Sequence, residues 1–416
     1  MIYQNEQTEN TQNKFSKAIS ELQIGKLLRK SNITKNCGIS AYEVFQFLLL
    51  LVFQGKNLFR FLNSKHKDQA VSKNTYYRFL NEPSYNWKKF MLLLSARVVS
   101  AFDRLTRPER VKVLVLDDSV IARNRSKKVE LLARVYDHVD HKFKKGFTLL
   151  TLGWSDGYSF IPVGFNLLSS ASKSNRYEEI SDTIDHRSNG YKTRKESLLP
   201  KTEASLLLIK RALEAGICAD YVLMDTWFTT EPMIKAILAE GLDVIGMVKQ
   251  LKQRYNYKGR KYTLPELQKF VCFDGARNIF GSLCVTTKNG IPVKIVFIRN
   301  RNKKSECLYL LSTDCSLSDS EIVRIYGNRW NIIPISALPA LCRYFFNADI
   351  SRYLLQQGCA VTANIGINYL SPANFLSTSS LSAYLNATSS LNTDSSFSPS
   401  FLCAWRFISS VARAYI

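Results

Sequence analysis

Apolar positions change rhythm near residue 110. Before it they recur at helical spacing; after it they alternate, or run in short β-branched blocks. Tyr42 to Phe53 is a dense apolar run. Leu58, Phe59, Phe61 and Leu62 continue the helical period after Gly55. Ser72 stands where it can N-cap a short helix from Lys73 to Leu80, which ends before Asn81-Glu82-Pro83. Trp87 to Phe102 predicts another helix. The pattern predicts an all-α N-terminal domain over 1–105. The short helix carries Lys73, Asn74 and Arg78 outward, with Tyr76, Tyr77 and Phe79 interleaved. That suits helix-turn-helix DNA reading, and equally the solvated face of an ordinary bundle.

Val111 to Asp117 alternates and is β-branched, which predicts a strand. Gly146 to Ser155 and Tyr158 to Leu168 predict two more, joined by a tight turn at Ser155-Asp156-Gly157. Residues 171–200 are polar and basic and read as a mobile loop. Lys201 to Ala215 is helical in pattern, with Thr202 as N-cap and Gly216 as the stop. Tyr221 to Asp225 predicts a fourth strand. Thr230 opens a helix through Glu240, closed by Gly241, and Leu242 to Val248 predicts a fifth strand. The order β-β-β-α-β-α-β gives the α/β class over 111–249, a mixed sheet with helices on its faces. Residues 250–315 add β-like runs at 281–287, 292–299 and 308–312, a β-rich insertion. Ser318 to Glu321 is a capping box that opens a last helix over 316–332.

Composition narrows the function. The chain has 416 residues, 57 Lys and Arg against 34 Asp and Glu, and a net charge of +23. Such an excess calls for a polyanion, and nucleic acid is the first choice. A ribosome-like basic surface or a membrane-surface protein is the bland alternative. No apolar stretch reaches the 18 or more residues of a membrane span. The N-terminus, MIYQNEQTENTQNKF, lacks the basic-then-apolar layout of a signal peptide. The nine Cys are scattered without a CxxC and read as reduced thiols. A cytoplasmic protein is expected, with no membrane partner.

The candidate chemistry lies at two strand ends. The first reads Leu116-Asp117-Asp118-Ser119, the other Met224-Asp225-Thr226. Open α/β sheets bind ligands at the carboxyl ends of their strands. If these two strands are neighbours, Asp117 and Asp225 converge. Paired carboxylates without His or Cys suit Mg²⁺ or Mn²⁺. Two such ions can activate water and stabilise a leaving oxygen in phosphodiester chemistry. For any single Asp after a strand, a turn or cap role is the ordinary reading. Asp117 and Asp118 face opposite ways if the strand runs through both. Asp117 shares parity with Val113 and Val115 and is the favoured ligand; Asp118 is the alternative.

These residues resemble the DDE transposases of bacterial insertion sequences, in the group with an RNase H-like core and a β-rich insertion. There the first Asp follows an apolar strand and precedes a Ser or Thr two positions on, as Asp117-Asp118-Ser119 does. The second Asp ends another apolar strand after a βα unit, as Asp225 does. The third segment carries Tyr-x2-Arg-x3-Glu-x6-Lys, and Tyr326 to Ile332 matches its beginning. The resemblance spans about 40–332. It implies an RNase H-like fold and cut-and-paste movement of double-stranded DNA, with the ions held by Asp117 and Asp225. It further implies that Tyr326 and Arg329 hold the element's end, that Lys249 meets phosphate, and that Trp227 stacks on a flipped base. For Trp227, core packing is at least as natural. A homodimer bridging two ends is the family's expectation.

The signature then departs from the family. Ile333 stands where it carries Glu, and Ala340 where it carries Lys. Pro334 and Pro339 interrupt the helix that should present them. Composition breaks at the same point. From Trp330 to Ile416 there is no Lys, Glu, His or Met, and Ser-rich runs such as Ser377-Thr378-Ser379-Ser380 appear. A frameshift near Asn331 accounts for both changes; a genuine Ser-rich terminus is the alternative. A site lacking its third carboxylate is expected to be inactive. A non-catalytic DNA-binding protein or repressor derived from a transposase is the rival function.

Overall fold

A computed structural model describes residues 17–331, apart from 18, 54–57, 66, 106, 108, 272–277, 301–302 and 304–305. The signature positions 333 and 340, Pro334, Pro339 and the Ser-rich tail lie outside the described residues. The N-terminal part includes the helices α1 (Ile24–Lys30), α2 (Ala41–Phe53), α3 (Leu58–Leu62), α4 (Lys73–Asn81) and α5 (Trp87–Leu105). Their apolar faces meet through an aromatic cluster, with Phe45, Phe79, Tyr85 and Phe90 packed about Trp87. The segment is not a body apart. Ser95 Oγ on α5 donates to the Pro162 carbonyl at 2.8 Å, and one continuous core runs from these helices into the sheet.

The sheet begins with β1 (Val113–Ala122), β2 (Ala133–Asp137), β3 (Lys142–Ser155) and β4 (Phe160–Leu168). After helices α6 (Asn189–Glu196) and α7 (Lys201–Glu214) come β5 (Tyr221–Met224), α8 (Glu231–Ala239) and β6 (Asp243–Val248). Strand β3 lies antiparallel to β1 along its whole length, and its other edge pairs first with β2 and then with β4. Strands β5 and β6 run parallel to β1. The run β4-β3-β1-β5-β6, three antiparallel strands joined to two parallel ones, is consistent with an RNase H-like nuclease fold.

The β-like runs of 250–315 extend this sheet. They are β7 (Tyr255–Tyr257), β8 (Arg260–Tyr262), β9 (Ile279–Thr286), β10 (Pro292–Arg299) and β11 (Cys307–Ser312), with helix α9 (Leu264–Gln268) between β8 and β9. Strand β11 pairs with β6, and β10, β9, β7 and β8 follow outward. The reason is an open edge: β6 presents unpaired backbone groups, and β11 satisfies them. The last helix, α10 (Asp319–Gly327), opens with the expected capping box of Ser318 and Glu321.

Three expectations are corrected. Strand β1 does not stop at Asp117; pairing with β3 carries it to Ala122. Residues 171–200 are not one loop, since α6 forms there with Ser188 as its side-chain cap. Helix α7 begins at Lys201 with Pro200, not Thr202, in the cap position.

The sheet has two unlike faces. Leu114, Leu116, Val222 and Met224 pack with the N-terminal helices, α7 and α8. Val113, Val115, Leu223 and Ile245 pack with Ile322, Ile325 and Tyr326 of α10. Each fully buried aliphatic contributes roughly 1.5–3 kcal/mol. Helix α10 is therefore anchored over the second face by its Ile pair and Tyr326.

Candidate active site

Register brings the two aspartates together. Val113 pairs with Tyr221 and Val115 with Leu223 in the parallel β1–β5 ladder. Asp117 and Asp225 each stand two residues farther along. Side chains two apart share a face, so both carboxylates rise on the face that α10 covers. Asp117 is not at its strand's end, but the parallel pairing stops just before it. Beyond Met224 the chain turns away, leaving a notch where β5 ends and β1 continues.

The turn after β5 is held by Asp225 itself. Its Oδ1 accepts from the backbone N–H of Trp227 at 2.9 Å and of Phe228 at 3.2 Å. Its carbonyl accepts from Thr229 Oγ1 at 2.6 Å. Thr229 sits directly on Gly246 of β6, where an added Cβ would lie 2.3 Å from Oγ1. Gly246 is what lets this turn close against the sheet. The turn role expected of an isolated Asp is therefore filled by one oxygen of Asp225, and its partner oxygen is left for other chemistry.

Asp117 lies in a less comfortable setting. Burial pushes its carboxyl up to about 6, Asp118 and Asp225 push it the same way, and Arg329 opposes them. Arg329 Nη2 is 3.7 Å from Asp117 Oδ1, outside good hydrogen-bond range. Its Nε is buried and has no hydrogen-bond partner among the described residues. The guanidinium lies 6.0 Å from the Tyr326 ring centroid and 5.0 Å from that of Trp330. Burial, with repulsion from Asp225 and Asp117, pushes the Tyr326 hydroxyl up to about 12 against the pull of Arg329. Tyr326, Arg329, Asp117 and Asp225 thus form one electrostatic group.

The other expected residues are distributed around it. Asp118 points to the opposite face, where Lys201 Nζ donates to its Oδ2 at 2.9 Å. Lys201 also lies 4.0 Å from the Trp227 ring centroid. Trp227 is half-exposed rather than core-packed. Lys249 is exposed one residue past β6. Lys73 and Arg78 stand exposed on α4, in the helical layer against the opposite face of the sheet, and are not brought to the aspartates. Lys201 carries no signal in the sequence. It opens a helix 83 positions after Asp118, and no local pattern links the two.

Two carboxylates on one face, one of them inclined to keep its proton, form the environment that a divalent cation relieves. Asp117 and Asp225 fit the ligand chemistry of a hard ion. Among the described residues no group of three His, Cys, Asp or Glu gathers into a complete site.

Fold and site together define a mixed α/β architecture with two aspartates on one face of its central strands. The chain belongs to the DDE superfamily of endonucleases, whose family model matches residues 48–258. The match contains Asp117, Asp118 and Asp225 and stops before Tyr326 and Arg329. Endonucleases of this superfamily act on DNA and generally use divalent metal ions. No curated protein sequence matches the chain. Among solved structures it is similar to the NurA nuclease from Sulfolobus solfataricus, at 10% identity and a TM-score of 0.22, over 62% of this chain and 86% of that one. No helix among the described residues is long and apolar enough to cross a membrane.

Proposed function

We propose that this chain is a DNA transposase of an insertion sequence, built for metal-dependent cleavage and strand transfer at the element's ends. The observation that carries the reading is the matched placement of Asp117 and Asp225 on one sheet face, beneath Tyr326 and Arg329. Asp117 and Asp225 would hold Mg²⁺ or Mn²⁺, and such an ion would supply activation of the attacking hydroxyl and stabilisation of the leaving oxygen. Arg329, whose Nε has no hydrogen-bond partner among the described residues, and Lys249 offer cations to the phosphates of the end. Trp227, half-exposed beside Asp225, offers a stacking surface. Element ends and target DNA are the partners, and a homodimer bridges the ends.

The chain as written is inactive, because Ile333 stands where the third carboxylate belongs. The test starts with the coding DNA. Read in another frame after the Asn331 codon, it is expected to give Glu at position 333 and Lys at 340. A chain rebuilt with that sequence is expected to cleave element-end DNA with Mg²⁺, while the present chain does not. Ordinary cleavage by the present chain would overturn the inactivity, and no cleavage by the rebuilt chain would overturn the transposase reading. One observation favours a second function: a DNA-seeking charge of +23 on a chain without that carboxylate suits a repressor that binds element DNA without cutting it. That reading requires Asp117→Ala and Asp225→Ala to leave repression unchanged.

A further inference from the structure

The β2–β3 hairpin carries a cluster that the aspartate site does not use. Its strands pair Arg134 with Lys145, Tyr136 with Phe143 and Asp137 with Lys142. Cross-strand partners share a face, and so do alternate residues along each strand. One face of the ribbon therefore displays Arg134, Tyr136, Phe143 and Lys145. The Tyr136 and Phe143 rings meet edge to face at 5.2 Å and are 39% and 55% exposed. The Arg134 guanidinium lies 4.0 Å from the Phe143 ring centroid. Lys145 Nζ lies 4.5 Å from the ring of Tyr177, itself 52% exposed.

The other face differs in kind. There Lys144 Nζ is 2.6 Å from both Asp137 and Asp140, so its charge is neutralised within the hairpin. On the first face, among the described residues, aromatic rings support the cations in place of carboxylates. The rings orient the positive charges without cancelling them. Exposed rings beside uncancelled cations form a surface made for a partner with both negative charge and apolar edges.

Strand parity ties this face to the aspartates. The register of β3 is unbroken from Lys142 to Ser155 across its pairing with β2 and β1. Phe143 and Lys145 have the same parity as Thr151, and Thr151 is the cross-strand partner of Asp117. From Thr151 to Phe143 the strand spans roughly 27 Å at about 3.4 Å per residue. That equals the rise of about eight base pairs.

We propose that this face of the β2–β3 hairpin is a contact surface for duplex DNA flanking the phosphodiester that reacts beside Asp117 and Asp225. Arg134 and Lys145 take backbone phosphates, and Tyr136 and Phe143 pack on the deoxyribose between them. The assignment rests on the reading that the aspartate face receives DNA, and its test separates the two. The full chain is titrated, in EDTA, against a labelled duplex of about three helical turns over a range of salt. Each lost phosphate contact lowers the slope of log K against log salt by about 0.9. Arg134→Gln with Lys145→Gln is expected to lower it by about 1.8. Tyr136→Ser with Phe143→Ser is expected to weaken binding several-fold at unchanged slope. Arg260→Gln with Lys261→Gln, on β8 at the far end of the sheet, is expected to leave both unchanged.

Should the Gln pair melt early, Arg134→Lys with Lys145→Arg keeps both charges and must retain the slope of the unmutated chain. Hairpin variants that bind like the unmutated chain would overturn the proposal. So would a control pair that loses as much, or an unmutated chain that does not bind. With metal withheld by EDTA, the titration reads binding apart from cleavage. The catalytic reading thus fails or stands on cleavage alone.

Discussion

Glu196 and Asp117 are both partly buried carboxylates with cations nearby, yet their chemistry moves in opposite directions. Glu196 accepts from Lys88 Nζ at 2.8 Å and from two nitrogens of Arg211 at 2.9 and 2.6 Å. Burial alone would raise its carboxyl, but those bonds hold it down at about 2. Asp117 has one guanidinium at 3.7 Å and two carboxylates as neighbours, and burial pushes it up to about 6. The Glu196 clamp ties α5, α6 and α7 together and is complete within the chain. Among the described residues the Asp117 group has no such clamp. Perturbed carboxylates of that kind cluster at functional sites, whereas clamped ones serve stability.

The largest effect that can break this contrast is on catalysis. In the rebuilt chain, Asp117→Asn or Asp225→Asn is expected to reduce Mg²⁺-dependent cleavage by more than the roughly 10–100-fold that losing an outer-shell partner costs. Asp118→Asn, whose side chain faces Lys201 on the other side, is expected to leave most of it. Equal losses at Asp117 and Asp118 would remove the distinction between the two faces.

Next is stability. Glu196→Ala leaves Lys88 and Arg211 without their carboxylate, and is expected to cost about 3 kcal/mol in urea unfolding. Asp117→Asn, by contrast, is expected to stabilise the metal-free chain at pH 7, since it removes a carboxylate that the fold resists ionising. A destabilised Asp117→Asn would break the comparison.

The pH dependence sharpens it. The folded pKa of Glu196 lies below its ordinary 4.5. Its stabilising contribution is therefore complete above about 4.5 and is lost as pH falls toward about 2. For Asp117 the folded value lies above the ordinary 3.8. Its ionisation therefore weakens the fold as pH rises from about 4 to about 6. Unfolding followed against pH should show Glu196→Gln flattening the acid limb and Asp117→Asn flattening the decline above it. The smallest effect is expected at Arg187, whose exposed pair with Asp185 is solvent-screened; Arg187→Ala should leave the melting temperature unchanged.

Legibility followed local chemistry. The Ser318–Glu321 box, the stops at Gly216 and Gly241 and the turn at Gly157 could be read because each is settled within a few residues. Strand β2 and helix α6 could not. Helix α6 reads NGYKTRKE, without an apolar stripe, and depends on Ser188 and on ion pairs such as Arg194 with Glu130, 64 positions away. Strand β1 hid its second half because Asp118 and Ser119 look like a strand ending, while β3 supplies the pairing that carries it on. The hairpin's basic-aromatic face was equally illegible, since it exists only once Tyr136 meets Phe143.

By itself the sequence determined the α/β class, the two apolar strands that end in aspartates, the DNA-seeking charge and the abrupt change after Trp330. These follow from residue type and period, which act over a few positions. Only the tertiary structure decided that β1 and β5 are neighbours in matching register, so that Asp117 meets Asp225 across 108 positions. It alone placed Tyr326 and Arg329 over them and turned Asp118 toward Lys201. The physical reason is that a carboxylate's chemistry is set by what surrounds it, and strand pairing and burial, not chain order, choose those surroundings.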